Sequence, residues 1–184
     1  MPSQAPMNLI MGMKSNLRLG IFLLVMIFGL VPEESFAGLK WIDVGINGLT
    51  CSLCTRSVDR SINRLEFVDS VTMSLENTEG RIYVKNVEAI NLKRITKAIT
   101  DAGFSVRFVR LQFDFRDTRI DKEGFFSFKG QRYRWLQLKS NSLQNDVALT
   151  LIDEGFLPKK ESNQWKKKLR ISPDQNILYL IHEI

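Results

Sequence analysis

The sequence predicts an α+β protein, with a ferredoxin-like βαββαβ sandwich over residues 38–111 followed by a second small α+β domain over residues 112–184. Three observations carry this expectation. Apolar residues alternate at a period of two in four short runs, two intervening runs carry a helical stripe, and glycines fall where helices and turns should end. From Gln112 onward the pattern changes to aromatic and basic strands.

Ile42, Val44 and Ile46 alternate with Trp41, Asp43 and Gly45, giving a first strand with one apolar face. Gly48-Leu49-Thr50 makes the turn out of it. Cys54, Val58, Ile62 and Leu65 then fall on one helical stripe, with Cys51 at the helix N-terminus. Val71, Met73 and Leu75 form a second strand, and Ile82 and Val84 begin a third across an Asn77–Gly80 turn. Leu92, Ile95, Ile99 and Ala102 stripe a second helix that Gly103 stops. Phe104, Val106 and Phe108 close the set as the fourth strand. The opposite sheet face would carry Trp41, Thr72, Ser74, Tyr83, Arg107, Val109 and Leu111, too apolar for a solvated face, so the C-terminal half is expected to cover part of it.

In that half, Phe113 with Phe115, Phe126 with Phe128, and Tyr133 with Trp135 mark short strands, the last two joined by a Lys129-Gly130-Gln131 turn. A helix from about Leu143 to Glu154 is expected to end at Gly155, with further strands near Gln164–Ile171 and Ile177–Ile181.

Residues 1–37 read as a targeting segment rather than as part of the fold. Lys14 and Arg18 supply a positive region, and Leu19 to Val31 is an uncharged apolar run of 13 residues, short for a membrane-spanning helix. Ser35-Phe36-Ala37 offers small residues for cleavage after Ala37, which implies a periplasmic or otherwise exported mature chain. An uncleaved membrane anchor is the alternative, and the membrane would then be met only through this segment. The mature chain keeps 24 basic and 18 acidic residues. A surplus so small and evenly spread argues against a nucleic-acid partner.

The chain has two cysteines, three apart, so no multi-bridge disulfide framework holds the fold together. Their placement carries chemistry. Unpaired N–H groups and the positive dipole end of a helix stabilise thiolate on Cys51 and, less directly, on Cys54. Two soft sulfurs without a nearby histidine suit Cu(I) or Hg(II), which accept low coordination, better than Zn(II), which usually takes four ligands. Thr50 adds no charged oxygen. His182 and Met73 read as a surface position and a packing residue, and neither is nominated as a ligand. A Ser-His-Asp constellation, a Gly-rich phosphate loop and a paired-carboxylate motif are all missing from the sequence, so the expectation is a noncatalytic protein.

Gly48-Leu49-Thr50-Cys51-Ser52-Leu53-Cys54 resembles the Gly-Met-Thr-Cys-x-x-Cys loop of heavy-metal-associated domains, and Ile99 to Phe104 resembles that family's closing Ile-x-x-Ala-Gly-Tyr/Phe segment. The resemblance covers about residues 40–111 and departs from the pattern at Leu49, Leu53 and Phe67. It implies Cys51 and Cys54 as metal ligands, Leu49 and Phe104 as an apolar collar, and a metal-transporting membrane protein or another metal-binding domain as partner. Two other readings stay open: a cell-envelope interaction module with a vestigial or disulfide-bonded cysteine pair, and a thiol–disulfide redox protein.

Overall fold

The computed structural model describes residues 38–116, 119–136, 138, 146–172, 174 and 176–182. The expected targeting segment, residues 1–37, lies outside them, as does the Leu143 start of the expected helix. The described residues form one compact unit.

The first half follows the expected order. Strand β1 (Leu39–Asn47), helix α1 (Ser52–Asn63), strands β2 (Val68–Ser74) and β3 (Glu79–Val84), helix α2 (Leu92–Asp101) and strand β4 (Ser105–Asp114) make the antiparallel order β2-β3-β1-β4. This is the ferredoxin-like arrangement. Ile42, Val44 and Ile46 of β1, Val58 and Ile62 of α1, and Ile95 and Ile99 of α2 are all fully buried between sheet and helices. Each such side chain contributes about 1.5–3 kcal/mol relative to exposure. Asn91 caps α2 by accepting from the Arg94 N–H, and Gly103 leaves it at φ 93°, a left-handed C-terminal position suited to glycine.

One irregularity reassigns a face. The β1–β4 register shifts between Gly45/Phe108 and Ile46/Val106, a β-bulge that holds Arg107 and Phe108 where one residue would normally stand. Val106, Val109 and Leu111 therefore all face the helix-side core, whereas strict alternation places Val109 and Leu111 on the opposite face. Phe108 takes the outer side instead, over the open surface of Gly45.

The sheet continues without a break beyond β4. Strands β5 (Phe125–Phe128), β6 (Gln131–Leu136), β7 (Asp146–Leu151) and β8 (Ile177–His182) extend it to the order β2-β3-β1-β4-β7-β8-β6-β5. The 111/112 boundary expected from composition falls inside β4, so both segments share one sheet. The far end curls back on the near one: Phe113 of β4 lies 5.5 Å from Phe126 and 5.3 Å from Phe128 of β5 and 6.0 Å from Tyr133 of β6, centroid to centroid, although three strands separate β4 from β5 and two separate it from β6. The expected turn joins β5 and β6, with Lys129 and Gly130 at φ 49° and 76°, as a two-residue hairpin of twisted strands requires.

Two C-terminal expectations are corrected. The stretch read as a helix ending at Gly155 forms β7, where Val147, Leu149 and Leu151 are buried at a period of two. The stretch read as a strand near Gln164–Ile171 lies mostly in helix α3 (Lys159–Lys168), which begins directly after Pro158. Trp165 and Leu169 pack with Ile177, Tyr179 and Ile181 of β8 and with Phe108 into a second core. The C-terminal half thus covers the outer face at β4. Farther along that face, Tyr83 is exposed and Trp41 is half-buried beneath the Arg81 guanidinium, which Asp43 holds in a two-point ion pair.

Candidate metal centre

The site grows from the end of β1. Asn47 pairs with Ser105, and Gly48 at φ 90° turns the chain under the Phe104 ring, where a Cβ at residue 48 would meet Phe104 Cδ1 at 3.5 Å. Leu49 then buries its side chain in the core with only 3% exposed, pinning the loop from below. Phe104 is half-buried beside it. The two residues implied as an apolar collar therefore act differently: Leu49 anchors the loop and Phe104 shields its side.

Cys51 occupies the N-cap of α1 in an extended conformation, and its Sγ accepts the Cys54 N–H at 3.2 Å. Its carbonyl accepts from both the backbone N–H and the Oγ1 hydroxyl of Thr55, each at 3.1 Å. These bonds satisfy the first turn and fix the loop relative to the helix. Cys51 and Cys54, with Cα atoms 5.2 Å apart, are joined as a disulfide. Cys51 is exposed and Cys54 half-buried, so the pair faces outward from the end of the sandwich.

The surroundings define what the pair can hold after reduction. The first turn of α1 contains no acidic residue, so nothing on it offsets the positive helix end that favours thiolate. Among the described residues, no group of three or more His, Cys, Asp or Glu side chains is placed to share an ion. The donor set is two sulfurs, which matches the low coordination of Cu(I) and Hg(II). His182 is exposed on β8, the strand paired with β6 and β7 in the C-terminal part of the sheet. Met73 is half-buried against the core.

The surface around the pair adds residues that the motif does not single out. Leu53, between the cysteines, is 76% exposed, and Leu75 is 41% exposed. Arg56 and Arg60 on α1 and Arg64 at its C-cap follow at intervals of four, all exposed, and among the described residues none of them has an ion-pair partner. That interval of four is the signal by which the row could be found in the sequence.

A ferredoxin-like sandwich with a Cys-x-x-Cys pair at the first helix N-terminus defines a class of soft-metal-binding domains. Residues 44–105 match the heavy-metal-associated domain model, and this segment of the chain is such a domain. The periplasmic component of the mercuric transport protein of Serratia marcescens is 28% identical over 74 residues, 40% of this chain and 80% of that protein. Copper-transporting ATPase 1 of Rattus norvegicus is 28% identical over 121 residues, 65% of this chain, and the match spans 8% of the ATPase. Among solved structures, oxidized MerP from Ralstonia metallidurans CH34 is 25% identical, with 37% of this chain and 93% of that chain covered at a TM-score of 0.35.

Proposed function

We propose that this protein is an exported, noncatalytic carrier that captures Cu(I) or Hg(II) between Cys51 and Cys54 and delivers the ion to a partner by thiolate exchange. The observation that carries the reading is the exposed convergence of the two sulfurs at the N-terminus of α1. Homology to a periplasmic mercuric transport component and to part of a copper-transporting ATPase supports both the cargo class and the export.

A dithiol reductant must first reduce the oxidised pair, passing two electrons and two protons to Cys51 and Cys54 while itself becoming a disulfide. Capture of a cation by both sulfurs then releases two protons, because thiolate and not thiol is the ligand. In transfer, an incoming partner thiolate joins the ion as a third ligand and one protein sulfur departs, so the ion is never free. Cys51, the more exposed residue of the pair, makes the first exchange. The partner is a metal-transporting membrane protein or another metal-binding domain. Leu53 and the row Arg56, Arg60 and Arg64 offer it an apolar contact beside a basic stripe. The test is transfer itself: metal-loaded protein mixed with an apo heavy-metal-associated domain should exchange its ion faster than a competing chelator can intercept it. Interception by the chelator at the rate of free-ion release would refute direct exchange.

A further inference from the structure

At the other end of β1 from the cysteine loop, a cleft of about 390 Å3 opens between the first turn of α2, the β5–β6 turn and Tyr133. Nine residues of strand separate it from the cysteine loop, roughly 25–30 Å at about 3.3 Å per residue. Its floor is apolar, made by Ile90, Phe128, Phe156 and Leu178. That volume falls in the range of small-molecule sites.

The polar groups at the cleft are mostly engaged. Asn91 caps α2, Gln131 donates to the Arg132 and Asn176 carbonyls, and Lys129 pairs with Glu88. Two groups are left. Tyr133 is only 4% exposed, lines the cleft, and has no hydrogen-bond partner for its hydroxyl among the described residues, yet that oxygen is not among the atoms sealed from solvent. It therefore reaches the opening. A hydroxyl at the cleft mouth without a protein partner is free to donate to a ligand that accepts its hydrogen bond. Burial raises the Tyr133 ionisation above its ordinary value, which keeps the hydroxyl a donor at neutral pH. Lys93, exposed in the first turn of α2, lies within electrostatic reach of Asp153, whose carboxylate already pairs with Lys166. The net uncommitted charge at the rim is one cation beside a helix N-terminus, which matches a monoanion.

We propose that this cleft binds a small amphipathic monocarboxylate, with its head held by Lys93, the first turn of α2 and the Tyr133 hydroxyl. Its apolar body lies on Phe128, Phe156 and Leu178. The site is independent of the cysteine pair and gives the C-terminal strands a binding role of their own.

Calorimetric titration of the full-length chain with octanoate tests this, with acetate and 1-octanol as the two halves of the ligand and with Tyr133→Phe and Lys93→Gln as variants. Octanoate is expected to saturate the wild type at least about tenfold more tightly than either half. Each substitution should weaken it about fivefold, the loss of one hydrogen bond or charge contact, with the thermal midpoint unchanged. The proposal is overturned by octanoate binding that both variants retain in full, by octanol binding as tightly, or by no saturable octanoate binding.

Discussion

The Sγ of Cys51 accepts a hydrogen bond from the backbone N–H of Cys54 at 3.2 Å, so the first sulfur of the pair also caps the helix that carries the second. Ligand placement and helix initiation are thereby coupled. Replacing Cys51 by Ala removes both a sulfur and a cap and should destabilise the fold by about 0.5–2 kcal/mol more than Cys51→Ser, whose hydroxyl can still accept. Urea melts of the two variants under reducing conditions check this.

The helix-side core should be unforgiving. Ile62 is fully buried on α1 against the sheet, and Ile62→Ala is expected to cost about 2–5 kcal/mol. The cysteines should keep their metal stoichiometry wherever the variant remains folded, because Ile62 lies two turns or more along the helix from them. Chemical denaturation with a parallel metal titration separates the two effects.

Gly45 is set by the bulge opposite it. A Cβ there would lie 2.5 Å from Phe108 Cε1 and 2.9 Å from Arg107 Nε, so Gly45→Ala must displace the Phe108 ring from the second core. The expected loss is about 1–3 kcal/mol. A Gly45→Ala, Phe108→Ala double variant should lose less stability in thermal melts than the sum of the two single variants, since the ring clash disappears and only the Arg107 Nε contact remains.

The pattern of what the sequence disclosed follows from local and non-local signals. Val58 with Ile62 and Ile95 with Ile99 are spaced four apart on helices bounded by Cys51, Asn91 and Gly103, so the first half was legible from period and caps alone. The bulge was not, because a strand's face is assigned by counting, and one extra residue at Arg107–Phe108 inverts every position after it. Val147 and Leu151 are also four apart, a spacing that satisfies a helix and a strand equally. Leu149, buried between them, decides for the strand. Helix α3 gives a weak stripe because Trp165 is its one apolar residue, with Leu169 joining the second core just past its end, and the start signal that Pro158 offers is weak without a stripe behind it. The ligand pair was legible because both sulfurs lie in one loop. The cleft at Tyr133 was not, because it forms only when the curled sheet returns β5 and β6 to the first turn of α2.

Acid should weaken the fold through Asp114. Its side chain is 1% exposed, and hydrogen bonds from Arg116, with a further contribution from Lys40, hold its carboxyl below the ordinary carboxylate range. A depressed folded value means that stabilisation is fully present above the unfolded value, about 3.9, and is lost as pH falls through the folded one. Asp114→Asn should flatten the decline in thermal midpoint below about pH 4. An unchanged decline would assign it to other carboxylates.

Leu53 should matter for the partner and not for the fold. At 76% exposure, Leu53→Asn is expected to change stability by less than about 0.5 kcal/mol. Metal affinity should also be unchanged, and the rate of transfer to an acceptor domain should fall. Stopped-flow transfer kinetics beside equilibrium titration distinguish a contact role from a ligand-shaping one.

The central claim is that two sulfurs, Cys51 and Cys54, constitute the metal site. The measurement that meets it most directly is titration of the anaerobically reduced protein with Cu(I), Hg(II) and Zn(II) against competing chelators, beside the Cys51→Ser, Cys54→Ser double variant. One Cu(I) or Hg(II) per chain should bind far more tightly than Zn(II), with that affinity lost in the variant. Equal, weak affinity in both proteins would contradict the claim.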